Sequence, residues 1–237
     1  FSSRYDTNGD ISDQSNIFFI YHYPKPDDIS QDQKDYIQSV IFEFESVLLS
    51  ENNEELLNLI DLQSFIDFFI INELSKNPDG YRLSTFLNKD FNGKLKMGPI
   101  WDFNLAYANV DYCDGANPIG WIYNFNSICP GDIWQVPFWW EVLMQKEVFK
   151  TALKNRWSSL RSSSLSNSTI LNTIDSYTEN LNSNNITNQN FYVWPVLGQY
   201  IWPNFFVGST HEEEIEFLKN WIDDRLDWMD MEINSLN

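Results

Sequence analysis

The sequence predicts an α+β fold, a mainly helical body carrying one small β-hairpin, on three observations. Apolar residues recur at helical spacing over several long stretches, and a single Asn-Gly turn separates two alternating runs. The chain also has 237 residues, 43% of them hydrophobic and 16% aromatic, enough to bury a sizeable core.

Taken in order, residues 1–16 are polar and turn-rich. Asp6-Thr7-Asn8-Gly9-Asp10 resembles the opening of a calcium loop, but Ile11 and Ile17 stand where such a loop needs Gly and Glu, so a solvated turn is expected. Residues 17–23 (IFFIYHY) form an apolar, β-rich run of strand length, closed by Pro24-Lys25-Pro26. Ser30 and Gln33 make a capping box for a helix whose Tyr36, Ile37, Val40, Ile41, Phe44, Val47 and Leu48 share one face. A second helix, residues 61–76, is apolar nearly all round and is ended by Asn77-Pro78, because the residue before a proline is pushed out of helical geometry.

Residues 81–89 and 94–103 alternate as strands about Asp90-Phe91-Asn92-Gly93, whose Asn-Gly is a strong hairpin signal. Pairing about that turn brings together the outer ends of the strands, which carry Asp79 and Asp102. Residues 104–137 are long, aromatic and irregular, and loops of that kind are usually functional or stapled. Cys113 and Cys129 lie in or beside that segment; their even number suits a disulfide in an oxidising compartment, with buried free thiols as the alternative. Helices are expected again at 138–144, 147–161 and 167–182. The last, 210–236, is opened by a Thr210/Glu213 capping box and packed through Ile215, Leu218, Trp221, Ile222, Leu226 and Met229.

Charge narrows the partners. A net charge of -19, from 34 acidic and 15 basic residues, repels phosphate backbones, so nucleic acid is not an expected partner. No apolar run approaches the roughly 18 residues that cross a membrane. His22 and His211 stand far from the two cysteines, and no zinc is expected. Of the 10 tryptophans, Trp139, Trp140, Trp157, Trp194, Trp202, Trp221 and Trp228 are expected chiefly in core or interface packing rather than on a sugar platform.

Three readings fit paired acids at a hairpin's mouth. A protonated acid and a carboxylate can flank a glycosidic bond. One Asp can position or deprotonate a hydroxyl while the other holds the Mg²⁺ that neutralises phosphate charge. Alternatively, Asp79 is an ordinary turn residue and Asp102 a cap.

The run NELSKNPDGYRLSTFLNKD, followed by KLKMGPIWDFNLAYANVDY, resembles the signature of the CotH (spore coat protein H) family of atypical secreted protein kinases, of the bacterial cell-surface type. YPKPDDIS, PFWWEVL, RWSSLR and WPVLGQYIWPN are similar to that family as well, so the resemblance covers nearly the whole chain from about Ile17. It implies a body like the C-terminal lobe of an atypical kinase-like fold, with residues 1–237 a single-domain fragment whose N-terminal lobe and phosphate-holding Lys lie upstream.

By that resemblance Asp79 is the catalytic acid that orients the substrate hydroxyl, and Asp102 is the metal-binding acid. Mg²⁺ and ATP are the implied cofactors. Ser84 falls at a second metal-binding position where a kinase catalytic loop has Asn, and Asn104 stands where many members carry another acid, so the two are weaker candidate ligands beside Asp102. Asp111 and Asp114 are candidates to extend that metal site. Lys25, Lys34, Lys89, Lys94 and Lys96 are read as solvated charges. The resemblance implies phosphoryl transfer to Ser or Thr of an extracytoplasmic protein, at the cell surface or outside it, in contact with surface or polysaccharide-associated assemblies. A catalytically degenerate adhesion or coat-assembly module is the alternative, and a carbohydrate-active protein the third.

Overall fold

Ser30 opens the first helix, α1 (Gln31–Leu48), by the predicted reciprocal cap. Its hydroxyl accepts the Gln33 N–H at 3.3 Å and the Gln33 side chain accepts the Ser30 N–H at 2.9 Å. The computed structural model describes residues 1–6 and 17–236, so the calcium-like motif, apart from Asp6, lies outside the described residues. Helices dominate, and among the described residues the sheet is a two-stranded ladder, which keeps the coarse α+β assignment. Two compact units are present, one made of Phe1–Phe68, Tyr81–Trp101 and Tyr123–Lys150, the other of Phe69–Gly80, Asp102–Ile122 and Thr151–Asn237.

In the first unit α1 is followed by α2 (Asn53–Leu59), a short helix without a clear apolar period, whose cap is Asn52 accepting the Glu55 N–H at 3.1 Å. The apolar helix expected at 61–76 is α3 (Leu62–Ser75), which starts in this unit. Its entry is capped by Asp61, whose carboxylate accepts the Ser64 N–H at 3.0 Å. The core is aromatic: Trp140 stacks on Phe68 at 5.8 Å and meets Tyr81 at 4.7 Å, while Trp139 meets Phe44 edge-on at 5.0 Å. α4 (Phe125–Ile128) and α5 (Trp139–Leu143) are two further short helices of this unit.

The hairpin is real but much shorter than alternation predicts. β1 (Leu87–Asn88) and β2 (Lys96–Met97) pair antiparallel, Leu87 with Met97 and Asn88 with Lys96. The second run cannot extend the ladder because its backbone is committed elsewhere: Leu95 exchanges hydrogen bonds with Leu59 and Asp61, and the Met97 N–H goes to the Ser64 hydroxyl. Residues 17–23 are not a strand either. Among the described residues they form an antiparallel bridge between Ser2 and Phe18 and no ladder, and Phe18, Ile20 and Tyr23 are exposed.

The carboxylate of Glu45 is buried under Ser3 and Trp139, accepting the Ser3 hydroxyl at 2.7 Å and the Trp139 indole N–H at 3.0 Å. Burial raises its pKa above the usual carboxylate value. Burial also pushes Asp6 up to about 7, with the Glu45 charge adding to the rise and the Phe138 N–H opposing it. Folded carboxyls with raised pKa values keep protons that the unfolded chain releases, so their contribution is most favourable below the unfolded values and is lost as pH rises through about 7. Thermal unfolding is therefore expected about 3–6 °C higher at pH 5 than at pH 8, and Glu45→Gln is expected to flatten the difference. A melting temperature that rises from pH 5 to pH 8 contradicts this.

α6 (Glu147–Arg161), most of which belongs to the second unit, and α7 (Asn167–Ser183) and α9 (His211–Ser235) of that unit match the predicted spans, and α8 (Ile186–Val193) is an additional helix. The α9 cap differs in detail. Thr210 accepts the Glu213 N–H at 3.2 Å as predicted, but the Glu213 carboxylate takes the Ser209 N–H at 2.6 Å instead of that of Thr210. Arg161 grips Asp230 with two nitrogens, at 3.0 and 2.9 Å, and the Trp157 indole donates to the same carboxylate at 2.7 Å. Trp139, Trp140, Trp157 and Trp221 are buried as expected, whereas Trp194 and Trp202 are exposed. Both cysteines are disulfide-bonded. Among the described residues no helix is long and apolar enough to cross a membrane.

Candidate active site

The site begins where α3 ends. The Lys76 N–H donates to the Glu73 carbonyl at 3.1 Å and the Asn77 N–H to the Asn72 carbonyl at 3.2 Å, the two bonds of a Schellman motif. Its left-handed position, usually Gly, is held by Lys76 at φ 44°. A lysine tolerates that strain, of the order of 1–2 kcal/mol, when its side chain is anchored. Here the ammonium is buried and donates to the Asp114 carboxylate at 3.1 Å and to the carbonyls of Asn117 and Ile119 at 2.8 and 2.6 Å. Burial lowers the Lys76 pKa from its usual value, and the Asp114 hydrogen bond opposes that shift.

A second buried cation works on the same loop. Arg225 of α9 donates to the Pro118 and Gly120 carbonyls, both at 2.8 Å, and to the Glu73 carbonyl at 2.8 Å. It also pairs with the Glu73 carboxylate at 3.2 Å, and that carboxylate accepts the Ile122 N–H at 2.8 Å. Residues 117 to 120 thus give alternate carbonyls to the ammonium and to the guanidinium, as a chain passing between two cations would. The guanidinium lies over Trp228, 4.6 Å from its ring centre.

Directly after this anchor, buried Asn77 links the two predicted acids. Its side-chain oxygen accepts the Asp79 N–H at 3.2 Å, and its side-chain nitrogen donates to the Asp102 carbonyl at 3.3 Å. The turn closes with the Gly80 N–H on the Asn77 carbonyl at 3.1 Å. A Cβ at Gly80 would meet the Asn72 side-chain oxygen at 1.9 Å, so a larger residue there requires the buried Asn72 side chain to move. Asp79 is half-buried, while Asp102 is exposed and held at φ 60°. Tyr107 and Ala108 are left-handed as well, so strain is concentrated in the loop that presents Asp102. That loop is tied to α3 by the Tyr107 N–H on the Ser75 carbonyl at 2.7 Å.

The backbones of residues 79 and 102 are therefore linked within one unit, through Asn77 rather than through a long hairpin. Asn104 lies in the same loop as Asp102, exposed, with its carbonyl accepting the Asn109 amide at 2.8 Å. Ser84 is buried in the other unit, in a turn rather than a strand. Asp111 and Asp114, candidates to extend a metal site, are engaged by the Tyr200 hydroxyl at 2.5 Å and by Lys76. Among the described residues no group of three or more His, Cys, Asp or Glu side chains could hold a metal. The Asp102 carboxylate and Asn104 amide are nevertheless the oxygen donors that Mg²⁺ takes, and Mg²⁺ in nucleotide sites relies on one or two carboxylates with the phosphates supplying the rest. The residues present fit such an ion.

Sequence reasoning missed Asn77, Lys76 and the Glu73–Arg225 pair. Arg225 had a signal, because a charged residue stands on the apolar stripe of Trp221, Ile222, Leu226 and Met229. Asn77 had none beyond its place before a proline, since its role depends on a residue far along the chain.

The family model for the CotH kinase protein matches residues 5–229. The chain belongs to the CotH kinase protein family. No curated protein and no solved structure matches it. In this CotH chain, Asp79 and Asp102 both lie within the matched span, as do Asn77, Lys76 and Arg225.

Proposed function

We propose that this CotH chain carries the phosphoryl-transfer site of an atypical protein kinase, which moves the γ-phosphoryl group of Mg-ATP to Ser or Thr hydroxyls of an extracytoplasmic protein. The observation that carries this reading is the link through Asn77, one buried amide holding the backbones of both acids within a chain of this family. Mg-ATP, when bound, supplies the phosphoryl group and neutralises its charge. Asp79 orients the substrate hydroxyl and takes its proton as the oxygen bonds to phosphorus and the bond to ADP breaks. Asp102, with the Asn104 amide oxygen, holds the metal. Ser84 is left out of this ligand set. A body resembling a kinase C-terminal lobe is part of the proposal, and the disulfide supports an oxidising, extracytoplasmic setting.

A catalytically silent binding module is the second reading, favoured by the neutral side chain of Asn104 beside Asp102. Calorimetry on the natural full-length protein separates the two. Mg²⁺-dependent ATP binding is expected in the wild type, weakened at least about tenfold by Asp102→Ala, the size of one lost charge-assisted contact. Absence of nucleotide binding in the wild type, or equal binding by the variant, overturns the kinase reading.

A further inference from the structure

Residues 192–206, from the last turn of α8 toward α9, leave large side chains in solvent: Tyr192 is 89% exposed, Trp194 65% and Trp202 69%. Part of this segment is held in place. Trp202 stacks on Tyr112 at 6.2 Å and 12°, Phe206 stacks on Phe217 at 4.3 Å and 5°, and the Tyr200 hydroxyl is bonded to Asp111. An apolar surface held in place and left uncovered is a mark of an interaction site.

Beside this strap lies a cleft of about 590 Å³. Its apolar lining includes Tyr112, Phe205 and Phe217, its acids are Asp111, Asp114 and Asp224, and among the described residues no Lys or Arg lines it. Lys76 pairs with Asp114, and among the described residues no ion pair is formed by Asp111 or the exposed Asp224 at the cleft. Aromatic faces flanked by carboxylates attract cations twice over, through the ring quadrupole and through charge. An anionic partner is repelled, and so is a second copy of a chain with net charge -19.

We infer that the strap and its cleft dock a segment of a protein partner in which Arg or Lys stands next to an aromatic residue. The cation enters between Asp111 and Asp224, and the neighbouring ring packs against Trp202 and Phe205. Binding needs no nucleotide, so its outcome is independent of the phosphoryl-transfer proposal.

Fluorescence anisotropy with a labelled Gly-Arg-Phe-Arg-Gly peptide on the whole chain tests this, against Gly-Gln-Phe-Gln-Gly and against cellopentaose as a neutral sugar. The Arg peptide is expected to bind at least about tenfold more tightly than the Gln peptide at low salt and to weaken as salt rises. Asp224→Asn and Trp202→Ala, both at exposed positions, are each expected to weaken it about tenfold with melting temperatures unchanged. The inference is overturned if the Arg peptide binds no better than the Gln peptide, if either variant binds it as the wild type does, or if only cellopentaose binds and Trp202→Ala abolishes that.

Discussion

Asp79→Asn is expected to lower phosphoryl transfer from ATP by about 10²–10⁴-fold, the usual worth of a positioned general base, in the natural full-length protein. Asn keeps the size of the side chain, and the backbone N–H bond of residue 79 to Asn77 is left in place by the substitution. What is lost is the proton acceptor for the substrate hydroxyl. Mg-ATP binding is therefore expected to stay within about twofold of wild type, in contrast to Asp102→Ala, so that the two acids separate by which step each affects. Transfer measured with γ-labelled ATP and a Ser-bearing acceptor checks this. Wild-type turnover by Asp79→Asn would remove Asp79 from the chemistry.

Arg225→Ala is expected to destabilise the chain by about 3–5 kcal/mol, a loss typical of breaking a buried ion pair by removing one partner. The guanidinium is fully buried, and its removal takes the paired cation from the buried Glu73 carboxylate and deprives the Pro118 and Gly120 carbonyls of a donor. At roughly 2–4 °C per kcal/mol for a chain of this size, the melting temperature falls by about 6–20 °C. Arg225→Lys recovers little of this, because one ammonium cannot reproduce the fork that reaches a carboxylate and three carbonyls. Combining Arg225→Ala with Glu73→Gln should cost less than the sum of the two single changes. Strict additivity would mean that the pair is not coupled.

Much of this was legible in the sequence where a local rule suffices. The α1 cap needs only Ser30 and Gln33, and α3 ends within a residue or so of its prediction because Asn77-Pro78 and the end of the apolar run coincide. The hairpin was over-extended because alternation reports which side chains are apolar, not where the Leu95 backbone bonds, and that backbone pairs with Leu59 and Asp61. Asp79 and Asp102 were singled out through turn chemistry and family resemblance, yet the amide that joins their backbones was invisible, since nothing near Asn77 announces a partner at 102. Trp194 and Trp202 were expected to be packed, and composition cannot say which aromatic residues a fold leaves outside.

The passage of residues 117 to 120 between Lys76 and Arg225 also bears on how this loop can evolve. Carbonyl oxygens are common to every amino acid, so the two cations read the path of the chain and not the identity of Pro118 or of Ile119, whose side chain is exposed. Positions 118 and 119 are free to drift and acquire new surface chemistry, while the instructions that place the loop are written far away, at the end of α3 and midway along α9.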